Sequence, residues 1–186
     1  MGKRVSAENQ NEAAMQLVNS LIAIEGVTGE VLSRTSGTQT RNIAHLQCEP
    51  SSWRKVAETM KYDHEVDHCS MITGIHWPDS SDKNWEVIYH FLRTGVKDPA
   101  ITEDGSSIIP NITEPKKLSG KDVPLEIQVN IAIPETRTPS VSSVQDIWIG
   151  ADWNEKETWD LVGIDFDGHR GMRRVLNPHE TPPGYH

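Results

Sequence analysis

A strictly alternating segment in the second half of the chain constrains the fold more than any other part of the sequence. Leucine, valine and isoleucine occupy every second position of residues 125–133, and polar or small residues lie between them. Side chains of a β-strand point alternately to its two faces, so this pattern predicts a strand with one buried and one polar face. Each of its five apolar side chains would contribute roughly 1.5–3 kcal/mol on burial. Such a strand requires a sheet with one covered face.

Two amphipathic helices in the first third of the chain are predicted to cover that face. The first has apolar residues at helical spacing and is expected to stop at Gly26. The second is predicted to begin at Pro50, because proline is tolerated at the first position of a helix. The two apolar stripes consist of Ala14, Leu17, Val18, Leu21 and Ile22, and of Trp53, Val56, Ala57 and Met60.

Four more strands are predicted at residues 29–33, 41–47, 69–77 and 85–92, the last two as a hairpin. Residues 95–124 are polar and rich in proline and glycine, which indicates a long surface loop. Because no strand–helix–strand unit repeats, the sequence predicts an α+β fold with a mostly antiparallel sheet and helices on one face. We expect this domain to span residues 1–134, followed by a linker and an extended C-terminal docking tail over residues 135–186.

Composition excludes several classes of protein. A chain of 186 residues is long enough for one domain with a core. Its net charge of −9 argues against binding to nucleic acid, which requires a basic surface. No apolar run approaches the roughly 20 residues of a spanning helix, so we expect contact with a membrane only through partners. Two cysteines, Cys48 and Cys69, are too few for a disulfide framework or an iron–sulfur cluster.

Residues 64–68 match the H-E-x-x-H pattern of zinc proteases, in which both histidines lie on one helix face and the glutamate is the base. Here the pattern lies between a predicted helix and a predicted strand. On a strand, His64 and His68 would be about 13 Å apart, too far to share a metal ion. A zinc-dependent hydrolase that uses His64, Glu65 and His68 therefore stays an alternative of a different class, and a polar connection is the simpler interpretation.

Residues 151–176 combine tryptophans, carboxylates, arginines, glycines and a histidine in one short run. Asn154 is predicted to cap a short helix, with Glu157 completing a capping box and Gly163 ending the helix. Exposed tryptophan together with arginine is typical of interface hot spots, and buried charges need partners. We therefore predict that this segment and Trp148 form a docking surface rather than a catalytic pocket.

The same segment resembles the 30-kilodalton (30-kDa) subunit family of respiratory complex I, the NADH–quinone oxidoreductase of bacteria, which also has cyanobacterial and plastid members. The resemblance is good over residues 67–92 and 125–176 and is general before residue 60. Val162 and residues 170–171 depart from the usual pattern of the family. The residues that carry the resemblance most clearly are Trp148, Trp153, Glu155, Trp159, Asp160, Leu161, Gly163, Ile164, Phe166, Gly168, His169, Arg173 and Arg174.

This resemblance implies a structural and assembly subunit of the hydrophilic arm of a complex I-like, proton- or ion-translocating oxidoreductase that passes electrons to a quinone-type acceptor. It implies no cofactor in this chain, and iron–sulfur clusters in its partners. Those partners would be the large hydrogenase-like subunit of the 49-kDa type and the small iron–sulfur subunit, on the cytoplasmic side of the membrane. The expected interface residues are Trp148, Trp153, Glu155, Glu157, Trp159, Asp160, Gly168, His169, Arg173 and Arg174.

Other interpretations of the resemblance stay open at this point. The complex could be a related deazaflavin-dependent dehydrogenase or a membrane-bound hydrogenase. The chain could also be an adaptor that acts outside any complex.

Overall fold

The computed structural model describes residues 6–79, 84–95, 100–101, 107–108, 120–134 and 136–181. Three helices and nine strands lie in these residues. The helices are α1 (Ala7–Leu21), α2 (Trp53–Tyr62) and α3 (Ala151–Val162). The strands are β1 (Val27–Ser36), β2 (Gln39–Cys48), β3 (His68–His76), β4 (Trp85–Arg93), β5 (Ala100–Ile101), β6 (Ser107–Ile108), β7 (Leu125–Ile133), β8 (Ser140–Ser142) and β9 (Asp165–Asp167).

Five strands form the main sheet in the order β1-β2-β7-β4-β3. Three of its four neighbouring pairs are antiparallel, and the pair of β2 with β7 is parallel. The central strand β7 is the alternating segment, and its side chains are buried at every second position. The predicted mostly antiparallel sheet is therefore confirmed, with one parallel pair where β7 inserts between two hairpins.

All three helices lie on the same face of the sheet. Leu46 of β2 lies on this face, directly beside Val129 of β7. At Gly29 an added Cβ would lie 2.6 Å from Leu46 and 3.4 Å from Val18 of α1, so this helix approaches closely there. The ring of Trp53 in α2 packs 4.4 Å from that of Tyr89 in β4. Helix α3 covers β3, and the predicted α+β architecture is confirmed.

Several predicted boundaries shift for local reasons. Helix α2 begins at Trp53 rather than at Pro50, because Ser52 is its N-cap residue and the carbonyl of Pro50 accepts only the turn bond from Trp53. Strands β1 and β2 are longer than expected, pairing from residue 27 with 48 to residue 36 with 39 around a tight turn. The hairpin of β3 and β4 is confirmed. Helix α1 ends at Leu21, before the predicted stop at Gly26.

Most of the predicted loop at residues 95–124 lies outside the described residues. Within it, β5 and β6 pair antiparallel, and residues 120–122 form a short 3₁₀ turn that leads into β7. Residues 1–5 and 182–186 also lie outside the described part of the chain.

The chain after β7 folds back onto the sheet as a C-terminal layer, which comprises β8, α3, β9 and residues 168–181. Strands β8 and β9 form a parallel pair that the sequence did not predict. Helix α3 packs on β3 where a Cβ at Gly74 would lie only 2.6 Å from Thr158 Cγ2, so glycine permits this contact. Among the described residues, no helix is long and apolar enough to cross a membrane.

Candidate functional site

Helix α3 carries half of the predicted interface residues, and it begins earlier than expected. Its N-cap residue is Gly150, which makes no side-chain cap, and Ala151 N donates to Trp148 O at 2.9 Å. Asn154 is inside the helix, where its Nδ2 donates to Gly150 O at 2.7 Å. The predicted capping box of Asn154 and Glu157 is therefore wrong. The predicted end at Gly163 is confirmed, with φ at 85° and a backbone N–H that donates to the last turn.

Trp148 belongs to the interior of the chain and not to its surface. Its side chain is fully buried, its ring packs 4.5 Å from that of Phe91, and its indole N–H donates to Val66 O at 2.9 Å. A side chain with these partners lies within the fold of the chain itself. Trp148 therefore anchors the C-terminal layer to β4 and to the segment that follows α2, whereas the prediction had placed it at a partner interface.

Glu155 is also buried, with an exposed fraction of 0%. Its carboxyl accepts hydrogen bonds from Ser143 Oγ at 2.6 Å and from Val144 N at 2.8 Å. Burial raises the pKa of Glu155 to about 7, although these two donors act in the opposite direction. Glu155 therefore fixes the segment after β8 against α3.

A second polar cluster surrounds Asp152 in the first turn of α3. Lys156 Nζ lies 2.7 Å from one Asp152 oxygen, and Gln145 Nε2 donates to the other at 2.6 Å. The hydrogen bond from Lys156 is the main reason that the pKa of Asp152 is lowered. His169 Nε2 lies 3.3 Å from Asp152 and 3.9 Å from Glu155, with a side chain that is almost fully buried. These contacts hold the start of the tail against α3.

Asp160 organises the tail after β9. Its carboxylate accepts three successive backbone N–H groups, from Val175, Leu176 and Asn177, at 2.9–3.0 Å. Arg174 Nη1 donates to the same carboxylate at 2.6 Å. Burial alone would raise the pKa of Asp160, but these donors outweigh it and hold the pKa well below its usual range. A single carboxylate thus holds four consecutive tail residues, 174–177, against helix α3.

Two predicted anchors, Trp159 and Arg174, contact each other. The Arg174 guanidinium lies 5.1 Å from the centre of the Trp159 ring, which is half-buried. Such a cation–π contact stabilises by about 0.5–2 kcal/mol. The Arg174 side chain is only 7% exposed and already pairs with Asp160. Glu155, Asp160, His169 and Arg174 therefore support the surface from beneath, whereas the prediction had placed them in direct contact with a partner.

The remaining predicted residues of α3 face outward. Trp153 is 57% exposed, and Glu157 is exposed one helical turn later. Leu161 follows after four more residues, so the three side chains share one face, which we call the α3 outer face. Ile149, just before the helix, is 93% exposed. Sequence reasoning missed Ile149 and Leu161, although their four-residue spacing from Trp153 and Glu157 was a signal for them.

An open groove, here called the arginine groove, lies beside the start of α3. Arg170 and Arg173 are exposed at its rim, and Ile149 also lines it. Gly168 and Gly171, both with φ at 84°, shape the turn that carries the arginines. Other lining residues are Gln145, Asp146, Asp152 and Lys156. Of the predicted residues, Arg173 lines this groove, and Gly168 is exposed in the turn that leads to it.

The geometry at residues 64–68 does not support a zinc site. Helix α2 ends at Tyr62, so the pattern at His64, Glu65 and His68 is not helical. His68 is exposed at the first position of β3, and Glu65 has a φ of 55° and lies 3.6 Å from Lys121. Within the described ranges, no three His, Cys, Asp or Glu side chains lie close enough to hold a metal ion.

Residues 46–185 of the chain match the family model described as the 30 Kd subunit of respiratory-chain NADH dehydrogenase. A subunit of NADH-quinone oxidoreductase from a Nocardioides species is 26% identical over 129 residues, which are 68% of this chain and 40% of that protein. The corresponding protein of Rhizobium rhizogenes is 31% identical over 56% of this chain and 38% of its own length. The chain thus spans less than half the length of these curated relatives.

Two solved structures have the same fold. A trypsin-resistant fragment of Nqo5 superposes with a TM-score of 0.52 at 20% identity, over 85% of this chain and 98% of the fragment. A chain from the membrane-bound sulfane sulfur reductase, an archaeal respiratory membrane complex, gives a TM-score of 0.57 at 18% identity. That match covers 89% of this chain and 78% of the other. At these identities the likeness concerns the fold alone.

Proposed function

The chain belongs to the family of the 30-kilodalton subunit of respiratory-chain NADH dehydrogenase, and we propose that it is a structural subunit of the hydrophilic arm of such a complex. In this role it binds neighbouring subunits and leaves the redox chemistry to them. The observation that carries the proposal is that the family match extends over the whole C-terminal layer, where large apolar side chains are exposed on a rigid support.

The geometry of that layer supports a docking role. Ile149, Trp153 and Leu161 are exposed by 93%, 57% and 43%, respectively, within one stretch of thirteen residues. A tryptophan and two large aliphatic side chains would gain free energy on burial, and here they remain in water. Clusters of exposed apolar side chains of this kind mark interaction sites. Beneath them, Glu155 and Asp160 are fixed by hydrogen bonds, so the surface is preorganised and a partner orders little on binding.

We further propose the partners and the place of this subunit. Its neighbours are the large hydrogenase-like subunit and the small iron–sulfur subunit, and it lies at the membrane periphery on the cytoplasmic side. The iron–sulfur clusters, the quinone-type acceptor and ion translocation belong to these other chains. Family membership supports this assignment. The chemistry of the two cysteines supports it as well, because burial raises the pKa values of the Cys48 and Cys69 thiols to about 12. Metals bind the thiolate form, which is disfavoured at both positions.

A co-production experiment tests the docking role. The chain is produced together with the large and small subunits of the same organism, and the assembly is isolated by size-exclusion chromatography. Combining Ile149→Asp with Trp153→Ala should weaken assembly at least thirtyfold, because even a single interface hot spot contributes about 2 kcal/mol or more. Met15→Ala is the matched control, since Met15 is a half-exposed apolar residue on α1. Full assembly of the double variant would contradict the proposal.

A second measurement separates this function from the zinc alternative. Elemental analysis of the purified chain should find no stoichiometric zinc or iron. Zinc at one equivalent, lost when His64 and His68 are both changed to alanine, would instead favour a metal site at residues 64–68.

A further inference from the structure

The arginine groove is locally positive in a chain whose net charge is −9. Its two aspartates already have cationic partners. Arg54 binds Asp146 through two parallel hydrogen bonds of 2.7 Å, and Lys156 binds Asp152 at 2.7–2.8 Å. Arg170 and Arg173 at the rim have no carboxylate within salt-bridge distance among the residues that the structure describes. Within that part of the chain, neither guanidinium forms an ion pair, although the charge of Arg170 contributes to the lowered pKa of Asp146, whose main hydrogen-bonding partner is Arg54.

The backbone that carries these arginines is held in place. Arg170 N donates to Gln145 Oε1 at 2.8 Å, and Gln145 Nε2 donates back to Arg170 O at 3.1 Å. On the other side, Arg174 and the residues after it bind Asp160. The two guanidinium groups therefore project from a fixed turn, so little backbone ordering is needed when they bind an anion.

An apolar side chain lies next to the two charges. Ile149 lines the groove and is 93% exposed, and it is followed one turn later by Trp153 on the α3 outer face. An apolar anchor with an arginine rim is the composition of protein–protein hot spots. A planar guanidinium binds a carboxylate through two parallel hydrogen bonds, which also fixes the direction of approach.

We propose that the arginine groove binds an acidic segment of the neighbouring subunit, whose carboxylates pair with Arg170 and Arg173 while an apolar side chain covers Ile149. The inference rests on the proposed docking function and adds the chemistry of the partner. Nucleic acid fits poorly, because Arg170 and Arg173 form only a small basic patch and a phosphate backbone would leave the exposed Ile149 without an apolar contact. A carboxylate segment of a protein satisfies both the charges and the apolar contact.

The test uses the co-produced assembly and measures its dissociation constant at several sodium chloride concentrations. Reversing the rim with Arg170→Glu and Arg173→Glu should weaken binding at least tenfold at low salt and flatten the dependence on salt, since rim charges act mainly through screened attraction. Arg34→Glu is the matched control, because Arg34 is an exposed arginine on β1. Its affinity and its salt dependence should equal those of the wild type.

The outcomes separate this inference from the proposed function. If the Ile149 and Trp153 variant dissociates while the reversed rim binds with wild-type affinity and salt dependence, docking stands and the acidic partner segment is refuted. If both variants assemble fully, the docking function fails as well. An unchanged melting temperature of the reversed-rim variant shows that folding is intact. Arg170→Lys with Arg173→Lys should keep the salt dependence but lose part of the affinity, because lysine cannot form the bidentate pair.

Discussion

The sheet and the C-terminal layer bury their side chains by different physical means. The covered face of the sheet is mainly apolar, with Tyr89, Phe91 and the alternating side chains of β7 against the helices. Its few buried polar residues, Asn42 and Arg93, lie toward the ends of their strands. The C-terminal layer buries Glu155, Lys156 and Asp160, each with specific hydrogen-bonding partners. Apolar packing tolerates changes of shape, whereas hydrogen-bonded charges permit one geometry and are costly when a partner is lost. The C-terminal layer is therefore less tolerant of substitutions than the sheet, but its surface has a defined geometry.

The largest effect is expected in the sheet. Phe91 is 1% exposed and packs against Trp53, Tyr89 and Trp148. Phe91→Ala should lower the free energy of unfolding by about 3–5 kcal/mol, because it leaves a cavity between the sheet and the two tryptophans that cover it. Urea titration followed by tryptophan fluorescence measures this loss. A cost below about 1 kcal/mol, well under the usual range for a buried phenylalanine, would show that this contact is not central to the core.

The next effect should remain local to the C-terminal layer. Asp160→Ala removes the acceptor of three backbone N–H groups and leaves Arg174 unpaired, at a cost of about 3 kcal/mol. We expect faster amide exchange at residues 175–177 with little change in β7. Asp165→Ala, at an exposed carboxylate of β9, is the control. Equal acceleration in β7 would mean that the tail and the sheet unfold together, which contradicts the difference between the two regions.

Glu155 gives the layer a dependence on pH that an apolar core lacks. Its pKa rises from 4.5 to about 7 on folding because of burial, so its stabilising contribution is complete below pH 4.5 and is lost as the pH rises to 7. The difference in unfolding free energy between wild type and Glu155→Gln should therefore change by about 2–3 kcal/mol over this range. Denaturant titrations at about pH 4.5 and pH 7.5, on either side of this transition, measure it. A constant difference would refute the shift.

The smallest expected effect tests the contact between the two regions. Gly74→Ala places a Cβ 2.6 Å from Thr158 Cγ2, so α3 must move away from β3. Overpacking of this kind costs about 1–3 kcal/mol. The double variant Gly74→Ala with Thr158→Ser removes the obstructing methyl group and should recover most of the loss in thermal melts. Failure to recover would indicate that the close approach at Gly74 does not limit the fit of α3.

The sequence predicted the sheet better than the site. The period of two in β7 and the stripes of α1 and α2 follow from side-chain direction alone, so element types and the covered face were correct. The parallel pairing of β2 with β7 was not predicted, because pairing partners depend on how the connections run. The composition of residues 151–176 predicted a special surface. It did not separate Trp148, which is internal, from Trp153, which is exposed.

By itself the sequence determined the α+β fold and the family, because the hydrophobic period and a long run of characteristic residues are properties of residue order. Only the tertiary structure decided which of the clustered charged and aromatic residues face outward. Glu155 and Asp160 are on the same helix as Trp153 and Glu157, yet the first two meet loop and tail donors and the other two meet solvent. This partition depends on segments distant along the chain, since a helix has several faces and only its neighbours in space determine which are covered.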